Sequence, residues 1–164
     1  MRYGTLWLVL ILVLFFAGVL PLDATDASEL QPANILLVWQ EGGTVCAKCD
    51  ADAEGRGLTL ADAIWDMERT ADGKLFLDTA EHIVISERAQ HLLSQVADSE
   101  KLRPAASVWL LRGEIPDAKR AASFLQNRIG TAKLGRVRAG LLGASMPTLP
   151  HLMEYDGRLV AVGA

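Results

Sequence analysis

Short apolar runs rich in strand formers alternate along this chain with stretches whose apolar residues recur at helical spacing, and that alternation leaves few architectures open. The runs are ILLVWQ at 35–40, KLFLD at 74–78, HIVIS at 82–86 and ASVWLLR at 106–112. HIVIS is dense in β-branched residues and reads as a buried strand. Between the runs, Leu60, Ala63, Ile64 and Met67 fall at i, i+3, i+4 and i+7, the stripe of an amphipathic helix. Thr59-Leu60-Ala61-Asp62 resembles a capping box at its start, with aspartate in place of the usual glutamate, and Ala71-Asp72-Gly73 ends it. A second helix is expected from Ser86, as its cap, to about Ala97, with Ala89, Leu92, Leu93 and Val96 inward. Pro116-Asp117 opens a third, whose stripe of Ala118, Ala121, Ala122, Leu125 and Ile129 is closed by Arg128 and Gly130. The glycine-rich stretch 131–147 carries no clear signal of either kind.

Hairpins are expected near both ends of this alternation. ILLVWQ and TVCAKCD flank Glu41-Gly42-Gly43, and PHLMEY and RLVAVG flank Asp156-Gly157, the strongest short hairpin signal in the chain. The fold class that follows is α/β (α+β), a single mixed β-sheet with about three helices packed on it. At 164 residues the chain has room for one domain of ordinary size.

Ahead of that domain, Arg2 precedes an apolar run from Leu6 to Leu22 broken only by Gly18 and Pro21. The division predicted is a signal anchor or signal peptide at 1–22, a tether at 23–34, and a single extracytoplasmic α/β domain at 35–164. The basic residue before the run, and Asp23, Asp26 and Glu29 after it, place the N-terminus in the cytoplasm and the domain outside. Acidic neighbours make Thr25-Asp26-Ala27 a poor cleavage site. An uncleaved single-pass anchor in the cell membrane is therefore favoured over secretion. The formal charge of −4 argues against a nucleic-acid partner.

Few residues carry the pattern of a reactive site. Cys46 and Cys49 are the two cysteines, in a C-x-x-C spacing. If they sit in a strand, Val45, Ala47 and Cys49 face one way and Thr44, Cys46 and Lys48 the other, so the sulfurs diverge. A thiol-redox site needs this motif at a helix N-terminus near a cation, whereas Asp50, Asp52 and Glu54 follow it here. Thiol redox or metal binding at Cys46 and Cys49 is kept as the alternative function. A zinc site would have to recruit from His82, His91 and His151, which are scattered along the chain. Asp78, Glu81 and His82 are close in sequence and of acid–base type, but a histidine at the edge of an apolar strand is more often packed than catalytic. No hydrolase elbow, phosphate-cradling loop or zincin motif is present. The expectation is therefore no catalytic residue, no cofactor and no metal. Candidate partner-surface residues are Trp65, beside the first helical stripe, and the basic cluster Lys133, Arg136 and Arg138.

From Gly57 to Ile115 the order of pieces is GLTLADAIWDMERTADGKLFLDTAEHIVISERAQHLL followed by LRPAASVWLLRGEI. It resembles the N-terminal domain of the spore-germination receptor C subunits, the Ger(x)C family of membrane-anchored lipoproteins. The matching residues are Gly57, Thr59, Ala63, Lys74, Phe76, the run Ile83-Val84-Ile85-Ser86-Glu87, and Val108 to Leu111, with MEYDGRLVAVG similar to that family's closing hairpin. The chain lacks the lipidated cysteine of those proteins and has no space for their further domains. The resemblance implies a short, divergent, non-enzymatic extracytoplasmic module that contacts other proteins of a membrane complex.

Overall fold

The computed structural model describes residues 30–163, together with Trp7 and Val13. The expected membrane segment at 1–22, those two residues apart, and the tether up to residue 29 lie outside the described residues. Among the described residues no helix is long and apolar enough to cross a membrane.

In chain order the first strand, β1 (Leu30–Pro32), pairs in parallel with the fifth, β5 (Lys74–Phe76), so the end of the expected tether is folded. The strands β2 (Ile35–Glu41) and β3 (Thr44–Cys49) form the first expected hairpin. Its turn needs Gly42 at φ +54° and Gly43 at φ +90°, a conformation that suits glycine and matches the twist of the strands it joins. After Cys49 the chain adds a strand that no run or stripe announces, β4 (Glu54–Gly57), which pairs antiparallel with β3. Its two glycines hide the strand from a pattern search and are what the packing requires. The helix α1 (Leu60–Thr70) lies so close that a Cβ at Gly55 would fall on the Ala63 carbonyl oxygen and the Met67 amide nitrogen.

Helix α1 starts as its sequence predicts. The Asp62 amide donates to Thr59 Oγ1 at 3.2 Å, the Thr59 amide donates to Asp62 Oδ2 at 3.1 Å, and Leu60, Ala63, Ile64 and Met67 are buried. A short 3-10 turn, Leu77–Thr79, leads into β6 (His82–Ser86), which is buried along its whole length.

The next segment departs from expectation. Ser86 makes no capping bond, residues Glu87–Leu92 form a 3-10 segment kinked at Ala89 (φ −106°, ψ 17°), and α2 (Leu93–Asp98) follows directly. Ala89, Leu92, Leu93 and Val96 still face inward. Burial selects the residues while the backbone takes the tighter path.

Strand β7 (Ser107–Arg112) is followed by α3 (Ala118–Leu125), capped by Asp117, whose carboxylate accepts from the Arg120 amide at 2.9 Å. The helix ends at Leu125, earlier than predicted, and Ile129 is 80 % exposed instead of buried. A fourth helix, α4 (Leu134–Leu141), fills the unassigned stretch, so within residues 30–163 four helices stand where about three were expected. The C-terminal hairpin of β8 (His151–Tyr155) and β9 (Arg158–Val162) turns at Asp156 and Gly157, with φ of 51° and 70°.

Seven strands join in one sheet of order β4-β3-β2-β6-β7-β8-β9. The middle four run parallel and the outermost pairs on each side antiparallel, so the sheet is mixed. Apolar residues of α1, α2 and α4 share one core with Leu36, Val38, Ile83, Ile85, Val108 and Leu110. Ala118, Ala121 and Leu125 of α3 share the other with Ile35, Leu37, Trp39, Val84, Trp109 and Leu111. From its one face, the N-terminal turn of α3 reaches toward both ends of the sheet. Lys119 pairs with Asp52, after β3, and Arg120 pairs with Glu154 at 2.9 Å and donates to the Gly157 carbonyl.

Two glycine substitutions should act in opposite directions. Gly55→Ala forces β4 away from α1 and should lower stability by about 2 kcal/mol or more. Gly135→Ala adds a methyl in ordinary contact with Pro104 within α4 and should raise stability by up to about 1 kcal/mol. Urea denaturation of the two variants beside the parent chain checks both signs.

Candidate functional site

The two thiols are governed by the strand that carries them. In β3, Cys46 lies opposite Trp39 and Cys49 opposite Leu36 of β2. Alternation sends Cys46 into the core beneath α3 and Cys49, with Val45 and Ala47, into the core beneath α1. The sulfurs therefore lie on opposite faces of the sheet, and both are free and buried. Burial pushes both thiols up from their ordinary pKa, with Glu41 adding to the effect at Cys46. At Cys49 the backbone of Ala51 and Ala53 opposes burial, while Asp50 and Asp52 add to it. A protonated thiol is a poor nucleophile and a poor metal ligand.

The acidic residue next to Cys49 has structural work. Asp50 accepts from the Asn34 amide and the Asn34 side chain, both at 2.8 Å, and from the Ile35 amide at 3.3 Å. It thus satisfies backbone donors where β2 begins.

Asp78, Glu81 and His82 do not form one group. Asp78 is exposed, Glu81 pairs with Arg103 at 3.3 Å, and the ring of His82 points into the α3-side core. There the Trp109 indole N–H donates to His82 Nδ1 at 3.2 Å, which leaves the ring proton of the neutral form on Nε2. Burial holds the His82 pKa below its ordinary value; Glu81 opposes this, and Lys133 and Arg103 add to it. The other histidines lie elsewhere. His91 is exposed, and His151 sits 3.3 Å from Glu87. Among the described residues no three histidine, cysteine or acidic side chains gather as a metal-holding group.

The basic cluster is also divided by the fold. Lys133 donates to Ser107 Oγ at 2.8 Å. Arg138 donates to the carbonyls of Ala97, Ser99 and Leu102, closing the C-terminal end of α2 where carbonyls lack helical partners. Arg136 alone is exposed. Lys133 and Arg138 brace the core edge, so the three do not stand together as one cationic surface.

Trp65 is placed differently. The capping box sets the phase of α1 so that Ile64 points inward, and the next side chain, Trp65, is 63 % exposed. The Arg69 guanidinium lies 5.6 Å from the ring centroid, on the helix's own surface. Beside Trp65 a groove of ≈ 690 Å3 runs between α1 and the turn after α2, lined by Leu60, Ile64, Gln95, Asp98, Glu100 and Lys101 among others. Its walls are fixed to each other: the Leu60 amide donates to Gln95 Oε1 at 2.8 Å, and Lys101 Nζ contacts Glu68 Oε1 at 2.6 Å.

A second concavity of ≈ 750 Å3 lies at the carboxyl ends of β2, β6 and β7, with Trp39, Glu41, Ser86, Glu87 and Arg112 on its walls. Arg112 donates Nε and Nη2 to Glu87 at 3.0 and 2.9 Å. That guanidinium lowers the Glu87 pKa, so Glu87 is a carboxylate near neutral pH and not a proton donor. The pair joins residues 25 positions apart, and nothing local in the sequence announces it.

Two measurements test these environments. Ellman's reagent should label Cys46 and Cys49 only after denaturation; fast labelling of the native protein at pH 8 would contradict their burial. For His82 the unfolded chain binds the proton more readily, so its contribution is intact above about pH 6.5 and falls as pH drops toward the lowered folded value. Urea midpoints should therefore decline between pH 7 and pH 5, and less steeply in His82→Gln.

Compared with models of known families, with curated proteins and with solved structures, the chain matches none.

Proposed function

We propose that this chain is a non-catalytic module that acts by protein contact, with α1 as its contact surface. In this reading the apolar segment at 1–22 holds the domain at the outer face of the cell membrane. The observation that carries the proposal is the exposure of Trp65 above a groove that is apolar at its base. A large aromatic side chain loses favourable burial when it faces water, and such side chains are the ones most enriched where partners dock. Leu58, at the entry to the helix, is likewise exposed, at 83 %. The thiols, buried and directed apart, lend no support to the redox alternative.

The resemblance to the germination-receptor C subunits supplies the kind of assembly in which such a contact serves. It rests on the residues quoted for it, which build strands and helices and not a reactive centre. In this reading the partners are other proteins of a membrane complex.

Photo-crosslinking in cells that naturally make the chain tests the proposal. With a benzophenone amino acid in place of Trp65, irradiation should yield one adduct, identified by mass spectrometry as a membrane or extracytoplasmic protein. The same substitution at Glu114, exposed on the loop after β7, should not. Equal adducts at both positions, or none at 65, would count against α1 as the contact surface. Because Trp65 is largely in water, Trp65→Ala should change the melting temperature little while abolishing the contact.

A further inference from the structure

We infer that the groove between α1 and the turn after α2 receives a partner segment with an apolar anchor side chain flanked by lysine or arginine. The inference rests on α1 being the contact surface and adds the chemistry of what docks there. Shape and charge both bear on it.

The groove has an apolar base, formed by Leu60 and Ile64, with the Trp65 indole as one wall. The α1 residues that line the groove run from Thr59 to Trp65, so the trough is about 9 Å long along the helix axis, room for one or two turns of an incoming segment. Such an apolar trough takes one or two side chains of a docking segment.

The rim decides the sign of the partner. Lys101 is neutralised by Glu68 and Asp66 by Arg69, at 2.9 Å in the second pair. Asp98 and Glu100 stand exposed on the opposite wall and form no ion pair among the described residues. The charge offered to an arriving molecule is therefore negative. Complementary charge at a rim steers the encounter and rejects partners of the wrong sign. An anionic bilayer or a nucleic acid meets repulsion at this wall, and a segment with lysine or arginine beside its apolar anchor meets attraction.

The test uses the full-length chain and two synthetic 14-residue amphipathic peptides of identical apolar spacing, one leucine/lysine and one leucine/glutamate, followed by fluorescence anisotropy. The leucine/lysine peptide should bind, more weakly as salt is raised. Asp98→Asn with Glu100→Gln should weaken it roughly tenfold, Trp65→Ala should abolish it, and the control pair Asp78→Asn with Glu114→Gln should leave it unchanged. Equal binding of the leucine/glutamate peptide, or an unaltered affinity in the Asp98 and Glu100 double variant, overturns the inference. So does self-association through Trp65 in sedimentation, which would make a second copy the occupant. A position-65 adduct in cells without leucine/lysine binding refutes only the partner's chemistry; absence of the adduct refutes the contact surface itself.

Discussion

Strands β2, β6 and β7 are apolar on both faces, and the rest of the structure answers to that. Ile35 to Trp39, Ile83 to Ile85 and Val108 to Leu111 are all buried. A parallel strand of this composition cannot lie at the surface of a one-sided sheet. Parallel neighbours also need long crossovers, and those crossovers supply the covering helices. Helices α1 and α2 belong to successive crossovers and cover one face. The other face would remain open but for α3, which leaves β7 on the opposite side before α4 returns the chain to the first.

The two hairpins close the sheet with residues of lower apolar content. Their positions follow from backbone chemistry and not from burial. Gly42, Gly43 and the Asp156-Gly157 pair adopt positive φ, and each signal is local, so each was legible. The capping box of α1 was legible for the same reason. Alternation in β3 was likewise sufficient to send Cys46 and Cys49 to opposite cores. Where the reading failed, the deciding force came from afar. Strand β4 exists because α1 accepts two glycines against its backbone. Ser86 fails to cap because the chain turns into a 3-10 path. Ile129 extends the stripe of α3 on paper, but the helix has already ended.

The candidate site was legible in a smaller measure. Trp65 stands next to Ile64, and a one-residue step on a helix turns about 100°, so the sequence alone left its burial open. The basic cluster was visible in sequence, but not the intramolecular partners of two of its members: Arg138 spends its donors on three carbonyls and Lys133 holds a serine. Asp98 and Glu100 carry no local pattern at all. Their interest arises only because α2 is brought beside α1, with Gln95 joining the two.

The N-terminal turn of α3 holds partners toward both ends of the sheet, Lys119 with Asp52 and Arg120 with Glu154 and the Gly157 carbonyl. Each exposed ion pair alone contributes little. Together with Ala118, Ala121 and Leu125 beneath them, they make one short helix the common lid of β3 and β8. Displacing α3 therefore uncovers β3 and β8 together, which ties local opening at one end of the sheet to opening at the other.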